Sequence, residues 1–150
     1  MDILIVEDEV LLGLLLAEAL AEVGHRVLGV AASRAEAVAL VAGKNPDLAL
    51  VDIELRGGDS GIELARELSP RGVLCVFTTA QPERARLHGD LAFGLVAKPY
   101  DPATILDAVR YFEALQAGQG PARLPRGLEL FAPLMAAPPI AAPEAVMAAG

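Results

Sequence analysis

The sequence predicts an α/β fold, an open and doubly wound parallel sheet with helices on both faces. Three observations predict it. Short, continuous β-prone runs recur near residues 3–6, 25–30, 48–51, 73–77 and 95–97. The most apolar of them lack polar–apolar alternation and so read as strands buried on both faces. Stretches of helical composition separate these runs, so that strand and helix alternate five times, the rhythm of a parallel sheet. Right-handed crossovers then leave only a few topologies, and in such sheets the functional crevice lies at the carboxyl ends of the strands.

Each element carries its own signal. Ile3-Leu4-Ile5-Val6 is the first strand, ended by Glu7-Asp8-Glu9. Residues 10–23 are rich in Leu and Ala and predict a helix stopped by Gly24. His25 to Val30 form the second strand. Ser33 is an N-cap, with Glu36 three residues on as its capping-box partner, for a helix ending near Gly43. Asn45-Pro46-Asp47 turns into a third buried strand, Leu48 to Val51, that ends at Asp52. A loop, Arg56 to Gly61, precedes a helix of about two turns to Leu68. Val73 to Phe77 form strand four, closed by Thr78-Thr79, and residues 82–88 suggest a short helix. Leu95-Val96-Ala97 form strand five, then Lys98-Pro99. Asp101 caps a last helix with Pro102 at its first position, running to about Leu115.

Composition changes beyond that point. Residues 116–150 hold six of the eleven prolines, many alanines and few charges. No strand is predicted there. The chain divides into a domain over residues 1–116 and an Ala/Pro-rich tail over 117–150, partly disordered or extended, whose apolar stretch 127–136 can dock onto another surface.

The chain carries a net charge of −8 and only two lysines, Lys44 and Lys98. This argues against nucleic acid and anionic membrane surfaces, which need clustered cations. The single cysteine, Cys75, rules out an intrachain disulfide and a cysteine-rich zinc site. No basic region precedes an apolar stretch at the N-terminus, and no apolar run approaches the roughly 20 residues that span a bilayer. A cytoplasmic location is the expectation. His25 and His88 have no ligand-spaced partner and read as structural or surface residues.

The chemistry comes from the residues at the strand ends. In a parallel sheet, strand ends of the same sense meet. Glu7 and Asp8 from the first strand, Asp52 from the third, Thr79 from the fourth and Lys98 from the fifth therefore converge. Clustered carboxylates repel without a counter-ion, and Mg²⁺ prefers oxygen ligands. Asp52 is then a nucleophile candidate, because carboxylates form aspartyl-phosphates. A threonine hydroxyl and a lysine ammonium are suited to phosphoryl oxygens. Singly these residues have duller readings: first-turn acids of a helix, a turn aspartate, a strand-end threonine, a solvated lysine. One crevice explains them together.

In these residues the sequence resembles the receiver domain of two-component response regulators. The matching segments are Ile3 to Glu9, Pro46 to Asp52, Phe77-Thr78-Thr79-Ala80 and Ala97-Lys98-Pro99-Tyr100, and the likeness covers residues 2 to about 115. The resemblance implies a flavodoxin-like sheet of five parallel strands in the order 2-1-3-4-5. It implies Asp52 as phosphoacceptor, Asp8 as a direct Mg²⁺ ligand, Glu7 acting mainly through water, and the backbone carbonyl of Glu54 as a further ligand. Thr79 matches the switch hydroxyl, Lys98 the phosphate-pairing lysine, and Lys98-Pro99 a cis peptide. Phosphodonors in that family are histidine kinases or histidine phosphotransfer proteins. A downstream protein would read the switch, and a homodimer is compatible with it.

The likeness breaks in two places. The family carries Tyr or Phe three residues before the lysine, as a ring that swings inward on activation; here the position is Leu95, with Phe93 and Tyr100 out of register. The loop after Asp52 reads Leu55-Arg56-Gly57-Gly58 without the common proline. With Phe77-x-Thr79 these features are similar to stand-alone receivers named for a Phe-Ala-Thr-Gly signature. Three other functions compete with a phosphoacceptor that is not itself a turnover enzyme. A nucleotide or flavin module needs a Gly-rich turn after the first strand, where this chain has acids. A metal-dependent phosphatase needs a second acid, for which Glu54 is the candidate. An interaction module of the same fold would signal without phosphate. The chain shows no basic patch and no helix-turn-helix pattern, which argues against direct DNA binding.

Overall fold

A computed structural model describes residues 1–119 and 123–131. Strands β1 (Asp2–Val6), β2 (Arg26–Ala31), β3 (Leu48–Asp52), β4 (Leu74–Thr79) and β5 (Gly94–Ala97) are linked by helices α1 (Val10–Glu22), α2 (Arg34–Leu40), α3 (Gly61–Leu68) and α4 (Pro82–Arg86). Helix α5 (Pro102–Gln116) and strand β6 (Leu128–Leu130) follow, and two single 3-10 turns lie at Arg56–Gly58 and Ser69–Arg71. The sheet order is β2-β1-β3-β4-β5-β6, as expected for the first five strands, which pair in parallel.

Strict alternation along the strands builds two cores. Leu4, Val6, Ala49, Val51, Cys75, Phe77 and Leu95 pack on the α2–α3–α4 side, with Ile62, Leu64 and Ala85 from the helices. Ile3, Ile5, Leu48, Leu50, Val76 and Val96 pack on the other, against Leu16 and Leu20 of α1 and Ile105, Val109 and Phe112 of α5. Because both sides of each central strand are covered by helices, both sets are apolar, which is why these runs read as continuous. Cys75 belongs to this interior, where burial pushes its thiol up to about 12.

The caps form as the sequence predicts. The Ser33 hydroxyl accepts from the Glu36 N–H at 3.1 Å, although the Glu36 carboxylate reaches back to the Ala32 N–H rather than to that of Ser33. Asp101 accepts from both the N–H and the hydroxyl of Thr104. The Lys98-Pro99 peptide is cis, as the resemblance implied. His25 accepts the N-terminal ammonium at 3.1 Å, a structural contact.

One expectation is corrected: the segment after α5 is not strandless, and among the described residues it adds a sixth strand to the five expected. Leu128–Leu130 pairs antiparallel with β5, opposite Gly94, Leu95 and Val96. Three residues in a Pro-rich setting carry too weak a local pattern to announce a strand; it forms because the edge of β5 offers unpaired backbone groups. Of the apolar stretch 127–136, the part within the described residues docks on the chain's own sheet, and 132–136 lie outside them. Among the described residues no helix is long and apolar enough to cross a membrane.

Candidate functional site

At the carboxyl ends of β1, β3, β4 and β5 the predicted residues come together. Glu7, Asp8 and Asp52 each present a carboxylate oxygen within 4.8 Å of the others. Glu7 is buried at the end of β1, held by its N–H to the Ala31 carbonyl and by Oε2 to the Glu9 N–H at 3.0 Å. Asp8 is half-buried, and Arg56 from the loop after β3 donates to its carbonyl at 3.0 Å. Asp52 is 6% exposed, and its Oδ1 accepts the Glu54 N–H at 3.1 Å. The start of α3 presses against it: a Cβ at Gly61 would collide with the Asp52 carbonyl, so only glycine fits this approach.

Lys98 bridges the acids. Its Nζ donates to Glu7 Oε1 and to Asp52 Oδ2, each at 2.9 Å. Burial works against the ammonium, but its bonds and proximity to Glu7 and Asp52 outweigh this and hold its pKa above the ordinary lysine value. Burial likewise dominates at Asp52, and with the Glu7 charge it pushes the carboxyl from 3.8 up to about 6 against the opposing pull of Lys98. One ammonium between three carboxylates leaves the site short of positive charge. The donor set is all oxygen and anionic, the chemistry of a hard divalent cation.

Thr79 is buried, and its Oγ1 accepts the Gln81 N–H at 2.7 Å. Glu54 is placed differently from the other acids. Its carboxylate lies outside the converging group, hydrogen-bonded to Gln81 Nε2 at 2.7 Å and 3.7 Å from Arg84.

Sequence reasoning missed two groups. Gln81 joins Thr79 to Glu54, and no periodicity announces such a contact. Tyr100, two residues past Lys98, turns its ring inward and buries its hydroxyl without a hydrogen-bond partner. The Thr78 hydroxyl lies beside it without completing one. Burial foremost, and then the Glu7 charge, push this phenol up to about 12. An orphaned buried hydroxyl costs roughly 1–3 kcal/mol. Tyr100→Phe is therefore expected to raise the unfolding free energy of the metal-free protein by about 1 kcal/mol, read by urea denaturation; a loss of similar size would show that the hydroxyl is satisfied.

Beside Lys98, a cavity of about 490 Å³ is lined by Glu9, Leu12, Pro99 and Tyr100 together with Leu11 and Leu15. Val10, Leu11, Leu14 and Leu15 leave an exposed apolar face on α1 next to the site.

The family model described as response regulator receiver domain matches residues 3–110. The phyllosphere-induced regulator PhyR of Methylorubrum extorquens is 46% identical over 110 residues, 69% of this chain and 40% of that protein. The solution structure of the PhyR response regulator REC domain of Erythrobacter litoralis is similar with a TM-score of 0.66 at 34% identity, covering 82% of this chain and 95% of that one. The response regulator TrrA of Thermotoga maritima, solved in complex with Mg²⁺-BeF, is similar with a TM-score of 0.63 at 30% identity, covering 73% and 96%. The matches to curated relatives span 40% to 54% of those proteins' length.

Proposed function

This chain belongs to the response regulator receiver domain family, and we propose that it accepts a phosphoryl group on Asp52 and switches protein–protein contacts in response. The observation that carries this reading is the Lys98 ammonium, 2.9 Å from Asp52 Oδ2 inside a cluster of three carboxylates. In the transfer, an Asp52 carboxylate oxygen forms a bond to phosphorus. The bond from phosphorus to the donor breaks, and its electron pair leaves with the donor. An ionised carboxylate needs no general base. In this reading Lys98 pairs with a phosphoryl oxygen while keeping Glu7 as its second partner, and the Thr79 hydroxyl donates to another.

Glu7, Asp8 and Asp52 are the side chains that would hold Mg²⁺, with the Glu54 backbone carbonyl as the further ligand proposed. The ion supplies the positive charge that the acids and an incoming phosphoryl group lack.

The donor is a histidine kinase or a histidine phosphotransfer protein, and the exposed apolar face of α1 beside the site supports its docking there. Receiver-family chemistry is confined to the protein's own side chain, self-catalysed phosphoryl transfer onto it and slow autodephosphorylation. A turnover phosphatase is disfavoured because the Glu54 carboxylate, the second acid the sequence offers for it, is engaged with Gln81. We read residues 1–116 as the receiver unit, and place it in the cytoplasm with such donors.

The test is incubation of the full chain with acetyl phosphate. Intact mass spectrometry should show one added phosphoryl group with Mg²⁺ present and none with the metal chelated, and the adduct should map to the peptide holding Asp52. No adduct, or one mapped elsewhere, contradicts the assignment.

A further inference from the structure

Residues 128–131 alternate in facing. Leu128 and Leu130 turn to the α1–α5 core, whereas Glu129 and Phe131 turn to the α4 side. Three kinds of contact fix them. The backbone pairs with β5, and the Phe131 N–H donates to the Phe93 carbonyl at 3.1 Å. The Glu129 carboxylate accepts from both Nε and Nη2 of Arg86, at 2.7 and 2.9 Å, on the last residue of α4. The Phe131 ring, 6% exposed, meets Phe77 edge-on with centroids 6.5 Å apart, in the core cluster that also holds Leu95. The chain is shaped for this segment, because a Cβ at Gly94 would run into the Glu129 carbonyl.

Helix α4 is tied at its other end to the phosphoacceptor site. Thr79 Oγ1 holds the N–H of Gln81, the residue before α4, and Gln81 Nε2 holds Glu54. A helix of five residues has little structure of its own to resist a pull at either end.

We propose that residues 128–131 are a strap that latches α4 to the β5 edge in the unphosphorylated chain, and that phosphoryl transfer to Asp52 loosens it. The proposal rests on the phosphoacceptor reading above. A phosphoryl group offers acceptor oxygens that draw the Thr79 hydroxyl away from the Gln81 N–H. The start of α4 then loses its tie and shifts, taking Arg86 from Glu129. Once freed, the outer edge of β5 presents unpaired N–H and C=O groups beside the Arg86 guanidinium. That surface fits an extended partner segment carrying a carboxylate where Glu129 sits and an apolar side chain where Phe131 sits.

Hydrogen–deuterium exchange on the full chain, with Mg²⁺ and with or without acetyl phosphate, tests this. Amides of 128–131 are expected to exchange at least about threefold faster in the phosphorylated protein. Gly94→Ala, whose methyl group displaces the strap, should show the same acceleration without phosphodonor. Glu129→Gln, which cuts only the ion pair, should show a smaller one. Phosphorylation without faster exchange at 128–131 overturns the strap and leaves the phosphoacceptor reading standing. Failure to take up phosphoryl overturns both. Unchanged exchange in both variants also overturns the strap.

Discussion

Replacing Asp52 by Asn is expected to abolish phosphoryl uptake and, in metal-free buffer at neutral pH, to stabilise the protein. The first effect comes from loss of the nucleophile: an amide oxygen in this position has neither the charge nor the basicity to attack phosphorus. The second comes from electrostatics. Burial and the Glu7 charge raise the Asp52 carboxyl from 3.8 to about 6, so the folded state holds its proton more tightly than the unfolded chain does. The stability this lends is fully present below about pH 4 and is lost as pH rises through about 6. At pH 7 the wild type therefore carries an unfavourable buried carboxylate that Asn removes, while Lys98 keeps Glu7 as a partner. A gain of order 1 kcal/mol, or about 4 °C in melting temperature, is expected at pH 7. Near pH 4 the two proteins should be equally stable. Thermal unfolding across that range checks the sign: a variant destabilised at pH 7, or an offset independent of pH, contradicts the account.

Lys98→Met is expected to be the most damaging single change in the site. The ammonium is mostly shielded and is shared between two carboxylates that are themselves nearly inaccessible, Glu7 at 2% and Asp52 at 8% side-chain exposure. Removing one member of a buried ion pair leaves uncompensated charge and costs about 3–5 kcal/mol. In metal-free buffer at pH 7, urea unfolding should show a loss of that order. Part of it should return as pH falls and Asp52 takes up a proton. Phosphoryl uptake should also fall by about a hundredfold, the scale of losing one well-placed donor to a charged transition state. A variant as stable as wild type at pH 7 would mean that the ammonium does not hold the acids together.

Much of this was legible in the sequence because parallel strands share a direction. Once Val6, Val51, Phe77 and Ala97 are recognised as lying near the ends of strands, Glu7, Asp52, Thr79 and Lys98 must meet, whatever their separation along the chain. The buried runs were equally plain, since both faces of each central strand are apolar. What stayed hidden depends on contacts between elements. Leu128–Leu130 becomes a strand only because β5 is there to pair with it. The Glu54 carboxylate turns from its acidic neighbours because Gln81 and Arg84 of a separate segment attract it. Tyr100 lies two residues past Lys98, yet nothing local says that its hydroxyl is buried without a partner. Leu95 marked a missing aromatic; the structure brings Phe131 from the tail into the same core cluster, a placement no local pattern encodes.

Divalent-ion binding is the most direct measurement of the central claim, that Glu7, Asp8 and Asp52 form one ion-holding cluster. Mn²⁺ electron paramagnetic resonance on the metal-free chain should show one bound ion per molecule, displaced by Mg²⁺ and lost in Asp8→Asn. Wild-type protein that leaves Mn²⁺ free in solution, or an Asp8→Asn variant that binds it undiminished, would contradict the account.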